Sequence, residues 1–284
     1  MENILDLIKS KQKQLPTLPV VAHNILKVAN DENSSSKDLA EIIQNDPAIT
    51  NKILRLANSA LYGQAKQVDT ITRAITVVGF NEVTSLTLGM GVFSSFDLKD
   101  VEKILKMKNL WLHSICCAFA AVEIARLARL GASEHLFLNG LMHDIGKIVF
   151  AIYMPQEYAK ALQSAIDQGK PLYAVEEEHF GIDHAALAGH LMTEWNFPDN
   201  LLLPCRYHHV PSKCSAEFKI EAMVVMLANF FCHKIGVGLS GSPAVDNVKI
   251  IAKDMGLSFT DLKNASATLR KNKGKIEEFL TFMQ

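Results

Sequence analysis

Residues 46–59 read DPAITNKILRLANS, and this stretch announces a helix at its start, along its face and at its end. Asp46 is a good N-cap, because a short carboxylate side chain can accept hydrogen bonds from the free amides of a first helical turn. Pro47 fits the first helical position, where no amide is needed. Ile49, Ile53, Leu56 and Ala60 then recur at spacings of four, three and four, which places them on one apolar face of a helix. Gly63 follows as a stop. Asn58 and Ser59, polar at the end of an apolar helix, are expected to cap backbone groups, with a partner surface as the alternative.

The same signals extend in both directions. They predict helices over Val20–Ala29, Ser36–Gln44, Thr70–Val78, Asn81–Ser94 and, roughly, Val101–Leu130, with capping-box spacing at Ser258 and Asp261. No convincing run alternates apolar and polar residues, so the expected fold class is all-α. Residues 96–100 (FDLKD) form a plausible joint. They divide the chain into an N-terminal helical half, 1–96, and a C-terminal helical half, 97–284, which carries every feature with possible chemistry and ends in helices over 244–284.

Apolar residues make up 49% of the 284 residues and charged residues 21%, enough to bury a sizeable core. With 29 basic and 30 acidic residues the formal charge is −1. That balance offers no electrostatic footprint for nucleic acid. The start lacks a secretory apolar region, so a cytoplasmic location is expected. The apolar stretches Ser114–Ala121 and Ala222–Cys232 read as buried helices too short to span a bilayer, so no membrane partner is expected. The five Cys are odd in number and contain no C-x-x-C. They fit buried, reduced thiols better than a disulfide framework or a zinc ribbon.

The chemistry centres on His143-Asp144-Ile145-Gly146-Lys147, set in the apolar run HLFLNGLMHDIGKIVFAIY (135–153). Burying an imidazole beside a carboxylate is costly unless both are satisfied. A metal ion would do so, because imidazole and carboxylate suit Zn, Fe, Mn or Ni; a hydrogen-bonded polar core is the alternative. Five of the ten His lie between His179 and His209. The informative group is His113, His143, Asp144, His184, His208 and His209. Adjacent side chains on a helix diverge by about 100°, so His143-Asp144 and His208-His209 could each ligate only at a helix end or by serving two ions. A binuclear site between several helices, with ions about 3.5–4 Å apart, has that geometry. His23, His135 and His233 are read as structural, as are His179 and His190.

The order of His113 and then His143-Asp144 resembles the HD superfamily of helical metal-dependent phosphohydrolases. In that superfamily the His-Asp pair binds metal and the Lys of HD-x-G-K, here Lys147, sits near the substrate phosphate. A more specific resemblance runs from about Lys13 to Lys234. The segments QLPTLP (14–19), LAEIIQNDPAITNKILRLANSALYG (39–63), ITRAITVVGFNEV (71–83), LWLHS (110–114), FLNGLMHDIGK (137–147), DHAALAGHLMTEWNFP (183–198) and YHH (207–209) look like an HDOD domain. Such domains are all-helical HD relatives found in bacterial signalling and regulatory proteins. The resemblance implies a multi-helical fold in which an N-terminal helical half packs on an HD-like half.

His113, His143, Asp144, His184, His208 and His209 match metal positions of the related HD-GYP cyclic-dinucleotide phosphodiesterases. Asn109 and Asn229 stand where those enzymes place carboxylates, Ala188 replaces a Gly, and no G-Y-P signature is present. Two amides for two carboxylates leave Asp144 nearly alone against one or two divalent ions. The resemblance therefore implies a regulatory, non-catalytic module that holds a metal (Fe, Mn, Zn or Ni) or a small anionic ligand such as a nucleotide and answers to a signalling partner. The competing expectation is a metal-dependent phosphohydrolase acting on a nucleotide or cyclic dinucleotide, with Asp144 and Lys147 as catalytic residues.

Overall fold

A computed structural model describes residues 15–31, 33–59, 62–63, 66–96, 98–131, 135–238 and 248–283. Ala60, the last residue of the apolar repeat, Lys13 and Gln14 at the start of the resemblance, Asp97 in the joint and the start of the 244–284 segment lie outside the described residues. Among the described residues all regular structure is helical. The chain divides into two compact units, Thr17–Phe96 with Gly274–Gln284, and Met1–Pro16 with Asp97–Lys273.

The first unit contains α1 (Val20–Ala29), α2 (Ser36–Gln44), α3 (Pro47–Ala57), α4 (Ile71–Val78) and α5 (Phe80–Ser94). α3 starts as its sequence dictates, with Asp46 Oδ1 accepting from the amides of Ala48 and Ile49 at 3.0 and 3.1 Å. Ile49, Ile53 and Leu56 form its buried stripe. α2 carries a full capping box between Ser35 and Asp38. Asn58 fastens the end of α3 to the chain near Val68. Its Nδ2 donates to Leu54 O and Val68 O, and its Oδ1 accepts from Val68 N, at 2.7–2.8 Å. That is the structural role expected of it. α4 and α5 meet at 111° across Gly79, whose φ of +107° is open to glycine but strained for other residues. α5 is buried on all sides from Val83 to Phe93. Thr84 and Thr87 satisfy their hydroxyls on the carbonyls of Phe80 and Val83.

The last helix, Lys273–Met283, belongs almost wholly to this unit. It buries Ile276, Phe279 and Leu280, and Arg55 lies 5.7 Å from the centre of the Phe282 ring. The C-terminal half therefore does not run unbroken to residue 284. The apolar face of the final helix closes the N-terminal unit instead.

The second unit is built on α6 (Met107–Leu127), with α7 (Leu136–Met142), α8 (Ile145–Tyr153), α9 (Pro155–Gln168), α10 (Leu172–Phe180), α11 (His184–Glu194), α12 (Asp199–Arg206), α13 (Lys219–Ile235), α14 (Val248–Asp254) and α15 (Phe259–Lys271). α7 and α13 pack on α6, while α8 and α12 pack on α11. α6 is shorter than the sequence suggested. Val101–Lys103 is a separate 3-10 turn, and Glu102 Oε2 accepts from Met107 N at 3.1 Å, so the helix proper starts there.

Met107–Leu127 and Leu136–Tyr153 are long and apolar enough to cross a bilayer by length and composition. This corrects the expectation of apolar stretches too short for that. Of the most apolar window in each, 67% and 94% respectively is buried inside the protein.

Two glycines set how closely these helices approach. A Cβ on Gly140 would lie 2.6 Å from Cys117 O and 2.7 Å from Ala118 Cα, so α7 crosses α6 backbone to backbone. A Cβ on Gly146 would collide with His184 O. The Gly of HD-x-G-K thus lets α8 lie against the start of α11.

Candidate metal centre

The two adjacent pairs that a continuous helix would splay apart both sit at helix ends. His143 is the C-cap of α7 and Asp144 the N-cap of α8. His208 and His209 lie in the turn after α12, with ring centres 3.9 Å apart. Regular helix is interrupted at both points, and the neighbouring side chains of each pair join one cluster. α6 contributes His113 and the start of α11 contributes His184. The structure brings His113, His143, Asp144, Lys147, His184, His208 and His209 into one cluster.

Asp144 is its hub. Oδ2 accepts from Lys147 Nζ at 2.7 Å and faces His113 Nε2 at 3.6 Å. Oδ1 faces His184 Nε2 at 3.2 Å and His143 Nε2 at 3.4 Å, both off the line of a hydrogen bond. Backbone carbonyls orient two rings: His143 Nδ1 donates to Gly140 O at 2.8 Å and His208 Nδ1 to Cys205 O at 2.7 Å. Their Nε2 atoms therefore point into the cluster as acceptors.

Burial is nearly complete except at His209, which is half-buried. His113, His143 and His208 are 0% exposed, Asp144 and His184 1%, and Lys147 2%. Burial depresses the basicity of His113, His143, His208 and His209, so these rings are neutral near pH 7 with lone pairs free to ligate. Burial alone would raise Asp144, but His143, Lys147 and His184 override it and hold the carboxyl well below its usual range. His184 goes the other way. Burial would lower it, yet the Glu176 carboxylate against its Nδ1 raises it to about 9.

The chemistry of this donor set fits a metal. His143 Nε2, His208 Nε2, His113 Nδ1, His209 Nδ1 and Asp144 Oδ1 are buried with no hydrogen-bond partner among the described residues, an expensive state for polar atoms. The separations of 3.2–3.6 Å around Asp144 match the edge of about 3.3 Å that tetrahedral N and O ligands leave between them. Three donor triads converge within 4.8 Å: His113, Cys117 and His143; His143, Asp144 and His208; His184, His208 and His209.

Sequence reasoning missed three contributors, Glu176, Cys117 and His233. Glu176, wholly buried on α10, accepts from His184 Nδ1 and backbone N and from Tyr158 Oη at 2.5, 2.8 and 2.9 Å. That is the carboxylate–histidine support typical of metal sites, and nothing local singles Glu176 out among three consecutive Glu. Cys117 lies 3.5 Å from His113 Nε2; its spacing of four from His113 was a usable signal. His233, read as structural, has its ring centre 4.7 Å from that of His113, and burial lowers its pKa to about 4. Asn229, one turn before His233 on α13, is 7% exposed and its Oδ1 has no partner among the described residues. Asn109 is half-buried one turn before His113, in a groove with Lys106 and Gln163.

The sequence profile of the HDOD domain matches residues 15–211. The chain belongs to the HDOD family. Solved structures agree on the fold. An HDOD domain protein from Geobacter sulfurreducens superposes with a TM-score of 0.76 at 22% identity, covering 95% of this chain and 94% of that one. A provisionally assigned signal transduction protein from Marinobacter aquaeolei VT8 gives 0.80 at 21% identity over 100% of this chain and 62% of that one. A provisionally assigned phosphohydrolase from Shewanella amazonensis SB2B gives 0.72 at 23% identity over 98% of each chain. An uncharacterized protein of Treponema pallidum is 24% identical over 223 residues, which are 78% of this chain and 43% of that relative's length. This HDOD chain thus spans less than half the length of that curated relative.

Proposed function

We propose that this HDOD protein is a cytoplasmic regulatory module of bacterial signal transduction, which holds a divalent metal at its HD-type centre and does not turn over a phosphoester. The observation that carries this reading is closure. Six residues of the cluster are 0–2% exposed and His209 alone is half-buried, and closed sites hold structural metals whereas catalytic ones keep a position open to substrate. The amides of Asn109 and Asn229 supply no charge toward a second ion, and Lys147 is engaged with Asp144. The N-terminal unit serves as the surface for a signalling partner, and a small anionic ligand is the alternative input.

A second reading, a metal-dependent phosphohydrolase, draws on Asp144, whose two oxygens face different rings as a bridging carboxylate would. It requires the centre to open.

Elemental analysis after chelator-free purification, followed by assays on cyclic dinucleotides and bis(p-nitrophenyl) phosphate, separates the two. Bound metal without turnover supports the regulatory module. Turnover that disappears in Asp144→Asn overturns it, and absence of metal removes the metal from the reading altogether.

A further inference from the structure

Cys117 takes no part in the HD ligand pattern, yet it sits inside the centre. It lies one turn after His113 on the same face of α6. Its Sγ is 3.5 Å from His113 Nε2, and Sγ converges with donor atoms of His113 and His143 within 4.8 Å. All three residues are fully buried. A tetrahedral zinc-type ion with one sulfur ligand and one imidazole ligand leaves about 3.5 Å between them, from metal distances of about 2.3 and 2.0–2.1 Å. The close crossing at Gly140 is what carries His143 over Cys117, because Gly140 rests directly on the Cys117 carbonyl. His143 Nε2, turned toward the cluster by the bond from Nδ1 to Gly140 O, has no hydrogen-bond partner among the described residues and lies 3.4 Å from Asp144 Oδ1.

We propose that Cys117 Sγ is a metal ligand, so that the centre is a mixed His/Cys site for a thiophilic divalent ion of the zinc type rather than a site for magnesium or manganese. The inference rests on the metal-holding reading above and deepens it. Chemically, a thiolate restores one of the negative charges that Asn109 and Asn229 withhold. The thiol proton leaves to solvent as sulfur takes the ion. A hard, oxygen-seeking ion gains nothing from that exchange, whereas zinc and cobalt(II) do.

Cobalt(II) reports on this directly. Titrating metal-stripped protein with cobalt(II) alone should give visible d–d bands together with a near-ultraviolet thiolate-to-cobalt band. In Cys117→Ser the near-ultraviolet band should vanish while the d–d bands persist, and in Cys214→Ser both should remain. X-ray absorption of the zinc-loaded, unsubstituted protein needs no variant and should show one sulfur in the first shell. Cobalt bands with no thiolate band, or a thiolate band that survives in Cys117→Ser, would overturn the Cys117 assignment while leaving a metal centre standing. In that case the contact between Cys117 and His113 is a plain S–H···N hydrogen bond. No cobalt uptake at all would overturn both the assignment and the metal reading beneath it.

Discussion

The two units bury polar side chains in opposite ways. In the N-terminal unit each polar group buried in α5 that makes a recorded bond returns to the nearest backbone carbonyl, as Thr84 and Thr87 do, and Asn58 closes on both backbone groups of Val68. Ser59 Oγ is the one orphan recorded there among the described residues. The other unit has orphaned atoms on five residues of one cluster, His113, His143, Asp144, His208 and His209, and scattered ones on Asn139, Asn200, Glu221 and Asn229. Satisfied polar groups hold an architecture together, whereas clustered unsatisfied ones leave a demand that water, a ligand or an ion can meet. The difference locates architecture in one unit and chemistry in the other.

The largest expected effect tests the charge at that point. Asp144→Ala leaves the Lys147 amine buried without its carboxylate and should lower unfolding free energy by about 3–5 kcal/mol, measured by urea denaturation of metal-stripped protein. A loss under about 1 kcal/mol would mean that the pair is not a buried ionic contact, and the contrast between the units would weaken.

Next comes pH. His184 is raised to about 9 in the folded chain from about 6.5 unfolded. Its contribution, roughly 3 kcal/mol, is fully present below pH about 6.5 and is lost as pH rises through about 9. His113, His143, His208 and His209 are depressed, so theirs is present above the unfolded value and lost as pH falls below it. Metal-stripped protein should therefore melt highest near neutrality. The alkaline decline should flatten in Glu176→Gln, and an unchanged decline in that variant would show that Glu176 does not set it.

Gly140→Ala tests the crossing. Its methyl group would press on the backbone of Cys117 and Ala118, which should cost about 1–3 kcal/mol and reduce metal uptake with it. Normal uptake at reduced stability would separate the crossing from the site. The smallest effect belongs to the architectural unit. Asn58→Ala strands the Val68 amide and should cost about 1–2 kcal/mol while leaving metal content untouched. A change in metal content there would break the division of labour.

How much the sequence disclosed follows the same line. Caps and periodicity act over a few residues, so α1, α2 and the start of α3 were legible from Asp46 and from apolar periodicity. His143-Asp144 and His208-His209 were legible as pairs that needed helix ends, and both stand at helix ends. Cys117 was legible only through its spacing of four from His113, and Glu176 and His233 were not legible. What makes each of them part of the cluster is which helices cross, and that depends on small contacts such as Gly140 on Cys117 and Gly146 on His184. The return of the last helix to the N-terminal unit was hidden for the same reason, since nothing in residues 274–284 names the face that will cover them.

The bond between Lys147 and Asp144 has a consequence for biosynthesis. Many small metalloproteins cannot fold until their ion arrives, which ties their production to metal supply. Here an amine encoded in the chain already stands against the central carboxylate, and His184 stands against Glu176. On the metal-holding reading proposed above, these two pairs would let the nascent chain neutralise its buried charges before an ion arrives.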